Sequence, residues 1–380
     1  MLISYQEALK RIHTKIAALN PKQTLPLLKT INRISASDVY AKFALPKSSI
    51  SLKEGYGVAL VDGQINYTLI PYATNIETGY AVSLSTGQSI PQGINAIIPE
   101  EEALLTEHHI TIPKSVALFQ HVKHAGEDIC KNECILGKYE RISAQKITAL
   151  SSQGISSIKV FKKPHVAIIS IGNDLASGHI HNSNAMSLAA RIIELGGTIE
   201  TIEICEENSP RVLALLETCL KTADCVITTG AMSQNDVMNL LLQTQLTPIF
   251  HHVRIAPAKP SALTLFQDKP TLHLPGLPLA CMLGFEMLGV PLLRQLQHLS
   301  SIFPDFITCT NQKRILCKPN CVNAIPGYSD GRSFVSAPYY EAGRLNILSQ
   351  CNGYILVEDK EWIEEGEDIP FFFFAHPPVS

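Results

Sequence analysis

Between Pro164 and His298 the sequence alternates short apolar runs with amphipathic stretches, and this limits the possible folds more than any other feature. His165–Ser170 reads as a strand and Ser183–Leu195 as a helix closed by Gly196-Gly197. Thr198–Ile204 reads as the next strand, and Ser209–Lys221 as a helix with Ser209 as its cap and Pro210 in its first turn. Asp224–Thr228 is an expected strand and Asp236–Gln245 an expected helix. Ile249–Ile255, Ala262–Phe266 and Thr271–Leu274 follow as strands, and Leu279–His298 as a long helix. Such alternation folds into a doubly wound, mostly parallel α/β sheet with helices on both faces. These sheets bind ligands beyond the carboxyl ends of their strands, so the turns there are where chemistry is sought.

The richest of these turns is Val226-Ile227-Thr228-Thr229-Gly230-Ala231-Met232-Ser233-Gln234-Asn235-Asp236. An apolar strand runs into hydroxyls, a glycine and a helix start. Gly230 lets backbone approach a ligand, and free N–H groups at a helix start favour an anion such as phosphate. Asp236 suits either a helix cap or a magnesium ligand. An ordinary strand-to-helix turn with an Asx cap has the same residues, so the motif alone leaves both readings open. Gly172-Asn173-Asp174 follows the first strand, with Asp174 a candidate metal or ligand carboxylate or a solvated turn acid. Pro275-Gly276-Leu277-Pro278 is a rigid turn with few free donors, suited to a pocket wall. In Pro257-Ala258-Lys259-Pro260, Lys259 is a candidate phosphate partner, although taken alone it reads as a surface lysine.

The rest of the chain has a different texture. At roughly 100–200 residues per domain, 380 residues suggest two to four domains. A capping box, Ser4-Tyr5-Gln6-Glu7, precedes Ala8, Leu9, Ile12, Ile16 and Leu19 at helical spacing. Residues 1–42 are expected to be helical, and 43–125 to be short strands punctuated by glycines. Residues 126–163 are expected to be mixed, with Ser143 capping Ala144–Gln153, and 304–380 to be strand-rich. The run Phe371–Phe374 reads as a buried final strand. The hydrophobic share of 46% is enough for a sizeable core, and a net charge of −3 gives no global attraction for nucleic acid. No apolar run is expected to approach the roughly 20 residues of a membrane helix, and the N-terminus does not read as a signal peptide, so the expected setting is the cytoplasm. The ten cysteines are expected to be reduced thiols. The spacing of Cys130/Cys134 and Cys317/Cys321 is not that of a common zinc knuckle.

Taken together, the four turns resemble the molybdenum-cofactor-binding domain of the molybdopterin molybdenumtransferases, the MoeA and gephyrin E-domain family. Further matches extend the resemblance over nearly the whole chain. Glu54-Gly55-Tyr56-Gly57-Val58 is similar to the family's Asp-Gly-Tyr-Ala segment. Ser85-Thr86-Gly87, Pro91-Gln92-Gly93 and Ala96–Glu100 are similar to its Thr-Gly…Pro-x-Gly stretch. Ala125-Gly126-Glu127-Asp128-Ile129 matches its Gly-Glu-Asp-Ile, and Asn352–Leu356 with Glu365-Gly366-Glu367 resembles its last domain.

The resemblance implies an elongated homodimer of four-domain subunits. Domain I comprises 1–42 and 126–163, domain II is the β-rich insertion 43–125, domain III is 164–303, and domain IV is the β-rich 304–380. It implies insertion of molybdate into adenylylated molybdopterin with release of AMP, assisted by Mg²⁺. The molybdopterin adenylyltransferase is an implied partner; nucleic acid and membrane are not. The implied catalytic and metal-binding residues are Glu54, Asp174 and Asp236, with Glu54 coming from the other subunit. The implied ligand-binding residues are Thr86, Thr229, Gly230, Ser233, Lys259, Pro275, Gly276 and Pro278, with Arg254 beside Lys259 offsetting phosphate charge.

Several residues depart from the family pattern at this site. Glu54 replaces an aspartate, and Asn173-Asp174 replaces Asp-Glu. Ala231 and Asn235 replace glycines, Ala258 replaces a glycine, and Leu277 replaces an asparagine. An added side chain obstructs close backbone approach and is strained where φ is positive. The alternative these substitutions raise is a divergent, non-catalytic or regulatory paralogue that keeps the fold and the dimer.

Overall fold

The computed structural model describes residues 2–299 and 301–374. Helix α1 (Tyr5–Lys15) starts where the Ser4 hydroxyl accepts the Glu7 N–H. The reciprocal half of the capping box is not made, because Glu7 pairs with Arg11 one turn on. The apolar face of α1, with Ala8, Leu9 and Ile12 buried, packs into the core of the central sheet. Helix does not continue to residue 42. Strand β1 (Lys22–Pro26) alternates half-buried and exposed residues, and pairs with a partner more than 130 positions away. A single 3₁₀ turn (Leu27–Thr30) and the short strand Val39–Tyr40 follow.

Residues 55–111 form a six-stranded sheet in the order Ala96–Pro99, Gly55–Val58, Tyr80–Leu84, Asn66–Ile70, His109–Thr111, Leu104–Leu105. Tyr56, Val58, Tyr67, Ala81, Ile98 and Ile110 fill one side of it. The chain then returns to the first segment. Cys134–Leu136 pairs with Val39–Tyr40. Helix α2 (Ala144–Ser152) is capped by Ser143, and β2 (Ser157–Phe161) pairs antiparallel with β1, Lys22 opposite Phe161.

The alternating region folds as read from its periodicity. Its elements are β3 (His165–Ile171), α3 (Ser183–Glu194), β4 (Thr198–Cys205), α4 (Ser209–Leu220), β5 (Cys225–Thr229), α5 (Val237–Thr244), β6 (Pro248–His251), β7 (Ala262–Phe266) and β8 (Lys269–Leu274). A helical run, α6 (Pro278–Leu296), closes the region. The sheet order is β4-β3-β5-β8-β7-β6; β4, β3, β5 and β8 are parallel, and β7 is antiparallel to both its neighbours. One core, with α1, α3 and α6, lies on one face, and a second, with α4 and α5, lies on the other. The α/β class is thus doubly wound.

Three local expectations need correction. The cap of α4 is Asn208, whose side chain accepts the Arg211 N–H; Ser209 is already helical. The expected strand Ile249–Ile255 is two strands, because His252 takes a left-handed φ of 62° and breaks the run. Its second part, Ile255–Ala256, joins Val322–Ser329 in the C-terminal six-stranded sheet. Finally, an apolar run of near-membrane length does exist: α6 spans 19 residues, and 83% of its apolar window is buried inside the fold. It is the core helix of the central sheet. Near its middle, buried Glu286 pairs with Arg191 of α3 at 2.7 Å. Of the run Phe371–Phe374, Phe371 and Phe372 are buried in the last strand (Asp368–Phe373), whereas Phe373 and Phe374 are half-buried and Phe374 lies past its end.

Candidate functional site at the carboxyl edge of the central sheet

The parallel register decides which turns meet. Ser170 of β3 lies opposite Thr229 of β5, and Thr229 opposite Leu274 of β8. The turns beginning at Gly172, Gly230 and Pro275 therefore leave one edge from three adjacent strands. The antiparallel β7 begins at that edge, with Ala262 opposite His273, and so delivers the Pro257–Ser261 turn beside the third. The structure thus brings together Asp174, Thr229, Gly230, Ser233, Asp236, Lys259, Pro275, Gly276 and Pro278.

Packing between these turns is tight. A Cβ on Gly230 (φ +99°) would lie 2.2 Å from the Ile171 carbonyl oxygen, and one on Gly276 would lie 3.2 Å from the Gly230 Cα. Only glycine at 230 lets the second turn lie against the end of β3 in this way, and a Cβ at 276 would be tight against the second turn. The substituted residues carry the expected strain: Ala231 has φ 54° and Ala258 φ 79°, both left-handed. Leu277 is 55% exposed and offers no cap to α6; the Leu279 N–H is accepted by the Ala342 carbonyl of the C-terminal region instead.

Donors and charges are unevenly distributed. Asp174 is exposed in a single helical turn (Asn173–Ala176). The adjacent Asn173 side chain accepts the Glu207 N–H and so ties this turn to the one after β4. The Asp236 carboxylate accepts the Ser233 N–H at 2.8 Å with its Oδ2. Gly230 gives its N–H to Leu274. Among the described hydrogen bonds, the N–H groups of Ala231, Met232, Gln234 and Asn235 have no acceptor, so they are the donors this turn can offer a ligand. Thr229 is buried: its hydroxyl donates to the Pro275 carbonyl at 3.0 Å and sits 3.3 Å from the Cys281 Sγ. Cys281 of α6 therefore stands beside these turns. Burial pushes its thiol up to about 12, so it stays protonated. Lys259 and Arg254 are exposed cations near the rim, and Lys259, after burial, helps to lower the His252 pKa.

Glu54 and Thr86 lie elsewhere, on the inserted sheet. They are near each other, since Gly87 and Gln88 exchange backbone bonds with Ser51. Among the described residues, no backbone hydrogen bond or strand pairing joins this region to the central turns. A cleft of about 370 Å³ at the opposite edge of the central sheet, lined by Lys15, Asp224 and Lys269, is far from these groups. Two further residues escaped the sequence reading: Asn182 and Asn184, in the first turn of α3. Their Asn-Ser-Asn run signalled a cap, but not its tertiary partners.

The chain resembles known proteins along most of its length. The model of the MoeA N-terminal region (domain I and II) matches residues 3–154, and that of a probable molybdopterin binding domain matches 167–295. The molybdopterin molybdenumtransferase of Staphylococcus epidermidis is 26% identical over 335 residues, covering 81% of this chain and 79% of the relative. The Staphylococcus aureus protein of that name is 26% identical over 332 residues, with the same coverage. A crystal structure of the molybdopterin biosynthesis MoeA protein from Pyrococcus horikoshii superposes with a TM-score of 0.86 at 22% identity, covering 98% of this chain and all of that one. With two family models in tandem over most of residues 3–295 and one architecture throughout, the chain belongs to the MoeA family of molybdopterin molybdenumtransferases.

Proposed function

We propose that this chain inserts molybdate into adenylylated molybdopterin and releases AMP, completing molybdenum cofactor assembly. The carrying observation is the delivery of Asp174, Asp236, Lys259 and the Ala231–Met232 donors to one rim by neighbouring strands. An anionic ligand with a phosphoanhydride requires this mixture of N–H donors, cations and carboxylates.

The phosphates rest against the Gly230–Ser233 turn, where Ala231 and Met232 donate. Lys259 and Arg254 offset their charge. Buried Thr229 and Pro275 form the wall, and Gly276 and Pro278 fix its path. Exposed Asp174 and half-buried Asp236, whose Oδ2 already accepts the Ser233 N–H, suit Mg²⁺, which commonly takes one or two carboxylates and completes its shell with water and substrate phosphates. When bound, Mg²⁺ supplies charge neutralisation at the anhydride. Water adds across the anhydride P–O bond, so that AMP leaves and molybdopterin keeps its own phosphate, while the two dithiolene thiols replace oxygens of molybdate, which leave as water with the thiol protons. Molybdate sits near Ser233 and the Pro275-Gly276 turn.

Glu54 and Thr86 reach this rim from a second subunit, so the working unit is a homodimer. The domain division is 1–42 with 126–163, 43–125, 164–303 and 304–380. The ten cysteines are free, which fits a reducing, cytoplasmic setting and hand-over of the adenylylated ligand from the molybdopterin adenylyltransferase.

The test is a mass-spectrometric assay of purified protein with adenylylated molybdopterin, molybdate and Mg²⁺. AMP and mature cofactor are expected; absence of both overturns the assignment. Asp236→Asn keeps the acceptor for Ser233 but removes the charge, and turnover is expected to fall by roughly 100-fold or more. Mixing inactive Glu54→Gln and Asp174→Asn subunits is expected to restore part of the activity. No restoration overturns the shared site.

A further inference from the structure

Helix α3 is fixed at both ends. Its C-terminal half is held by the buried Arg191–Glu286 pair. Its first turn touches all three strands that feed the rim. Asn182 accepts the Ser170 hydroxyl of β3 at 2.8 Å and caps the helix through the Ala185 N–H. The Asn184 Nδ2 group donates to the Thr229 Oγ1 of β5 at 3.2 Å and to the Gly276 carbonyl of the turn after β8 at 2.7 Å. Both of its amide hydrogens are thereby used on acceptors 45 and 92 residues away. Thr229 is saturated in turn: it donates to Pro275 and receives from Asn184, with Cys281 beside it.

We infer that Asn184 is a positioning residue for the reaction: its amide clamps the Pro275–Pro278 turn to the end of β5 and so sets the width of the ligand-binding rim. Gly230 and Gly276 are already close enough that a Cβ on the latter would be 3.2 Å away. What holds that approach is the fork of one amide across two carbonyl- and hydroxyl-bearing segments. A rim displaced by ~1 Å is enough to cost ~100-fold in rate, because the donors of one turn and the wall of the other must meet the same ligand. Asn184 touches no reacting atom and acts through Thr229 and Gly276.

The chemistry of the fork makes the test specific. Asn184→Ala removes the clamp. Asn184→Asp keeps the shape but sets a carboxylate against the Gly276 carbonyl, which repels it. This inference rests on the proposed reaction, so it is tested in two ways. In the AMP-release assay, kcat/KM is expected to fall about 10- to 100-fold in Asn184→Ala and further in Asn184→Asp. Ser143→Ala, which removes the α2 cap far from the rim, serves as a stability-matched control and is expected to keep its turnover. In hydrogen exchange read by mass spectrometry, peptides covering 225–236 and 271–284 are expected to exchange faster in both Asn184 variants, while those of β2 do not change. Wild-type kcat/KM in Asn184→Asp, or unchanged exchange in both turns, overturns the inference. If the wild-type protein releases no AMP, the reaction fails but the exchange experiment still decides the clamp.

Discussion

Ala231 and Ala258 hold the same kind of backbone in turns at one edge of the sheet, yet their surroundings differ. Each takes a left-handed φ, which costs an L-residue roughly 1–2 kcal/mol. Ala258 is 4% exposed, and its methyl fills the space left by Gly284 on α6: a Cβ at 284 would lie 2.7 Å from it. Ala231 is only half-buried, at the margin of the second core. At Ala258 the strain is offset by packing; at Ala231 little offsets it. One substitution has been absorbed into the core and the other remains on the ligand side. Sequence alone makes them look alike.

The strongest way to break this comparison is at Gly284. Glycine inside a helix normally yields stability on replacement by alanine, by about 1 kcal/mol. Here Gly284→Ala is expected to destabilise by about 1–3 kcal/mol, because the two methyls collide. Adding Ala258→Gly removes the collision and the left-handed strain together, so the double variant is expected to recover to near the wild-type level. A denaturant titration of the four-member cycle measures the coupling. Additive effects within about 0.5 kcal/mol would show that the two residues do not pack as a pair.

Beneath both turns the sheet holds a buried histidine with both ring nitrogens engaged. His273 is fully buried, with its ring nitrogens 2.9 Å from the Thr228 hydroxyl and 3.1 Å from that of Thr264. Burial, then the neighbouring His251, pushes its pKa from 6.5 down to about 3. The unfolded chain therefore binds a proton below pH 6.5 that the native state refuses. Stability from this group is complete above pH 6.5 and is lost as pH falls towards 3. By pH 5 the loss is about 2 kcal/mol, and His251, also lowered, adds to it in the same direction. Denaturation midpoints between pH 7 and 5 should fall less steeply in His273→Gln; an unchanged slope would remove His273 from the account.

Much of this was legible in the sequence for a physical reason: the alternation of strands and helices is local, as are the glycine and proline turns that end the parallel strands. What was not legible was non-local. Lys22–Pro26 has Leu25 as its one large apolar residue and so shows no strand periodicity, and it becomes a strand only through Ser157–Phe161. Thr229 reads as a free hydroxyl at a strand end, but Pro275, 46 positions on, covers it. The sequence placed alanines where backbone approaches closely, but only the fold assigns one to the core and one to the rim.

Relieving the exposed alanine has a smaller effect. Ala231→Gly removes the left-handed strain and returns some of it as the greater freedom of glycine in the unfolded chain, a cost of roughly 0.5–1 kcal/mol. The expected net gain is about 1 kcal/mol or less, and AMP release is expected to hold or rise because the Ala231 and Met232 donors become more accessible. A loss of stability would mean that the Ala231 methyl is packed as well as that of Ala258.

The smallest effect is expected at Leu277, and the reason is a compensation already present. A leucine cannot cap α6, and an asparagine there normally contributes about 1 kcal/mol. In this chain the Leu279 N–H is already accepted by Ala342, so Leu277→Asn can satisfy only the next free N–H. It also gives up the Leu277 methyl that reaches towards Gly343, 3.9 Å from where a Cβ there would stand. The net gain is therefore expected to be about 0.5 kcal/mol. The larger consequence falls on the ligand, because the asparagine puts a donor and an acceptor on a wall that now presents only an exposed methyl pair. The KM for adenylylated molybdopterin should fall while kcat holds. A KM that stays fixed would place the ligand away from this turn, and would return Leu277 to the same class as Ala258: a substitution taken up by the protein's own packing.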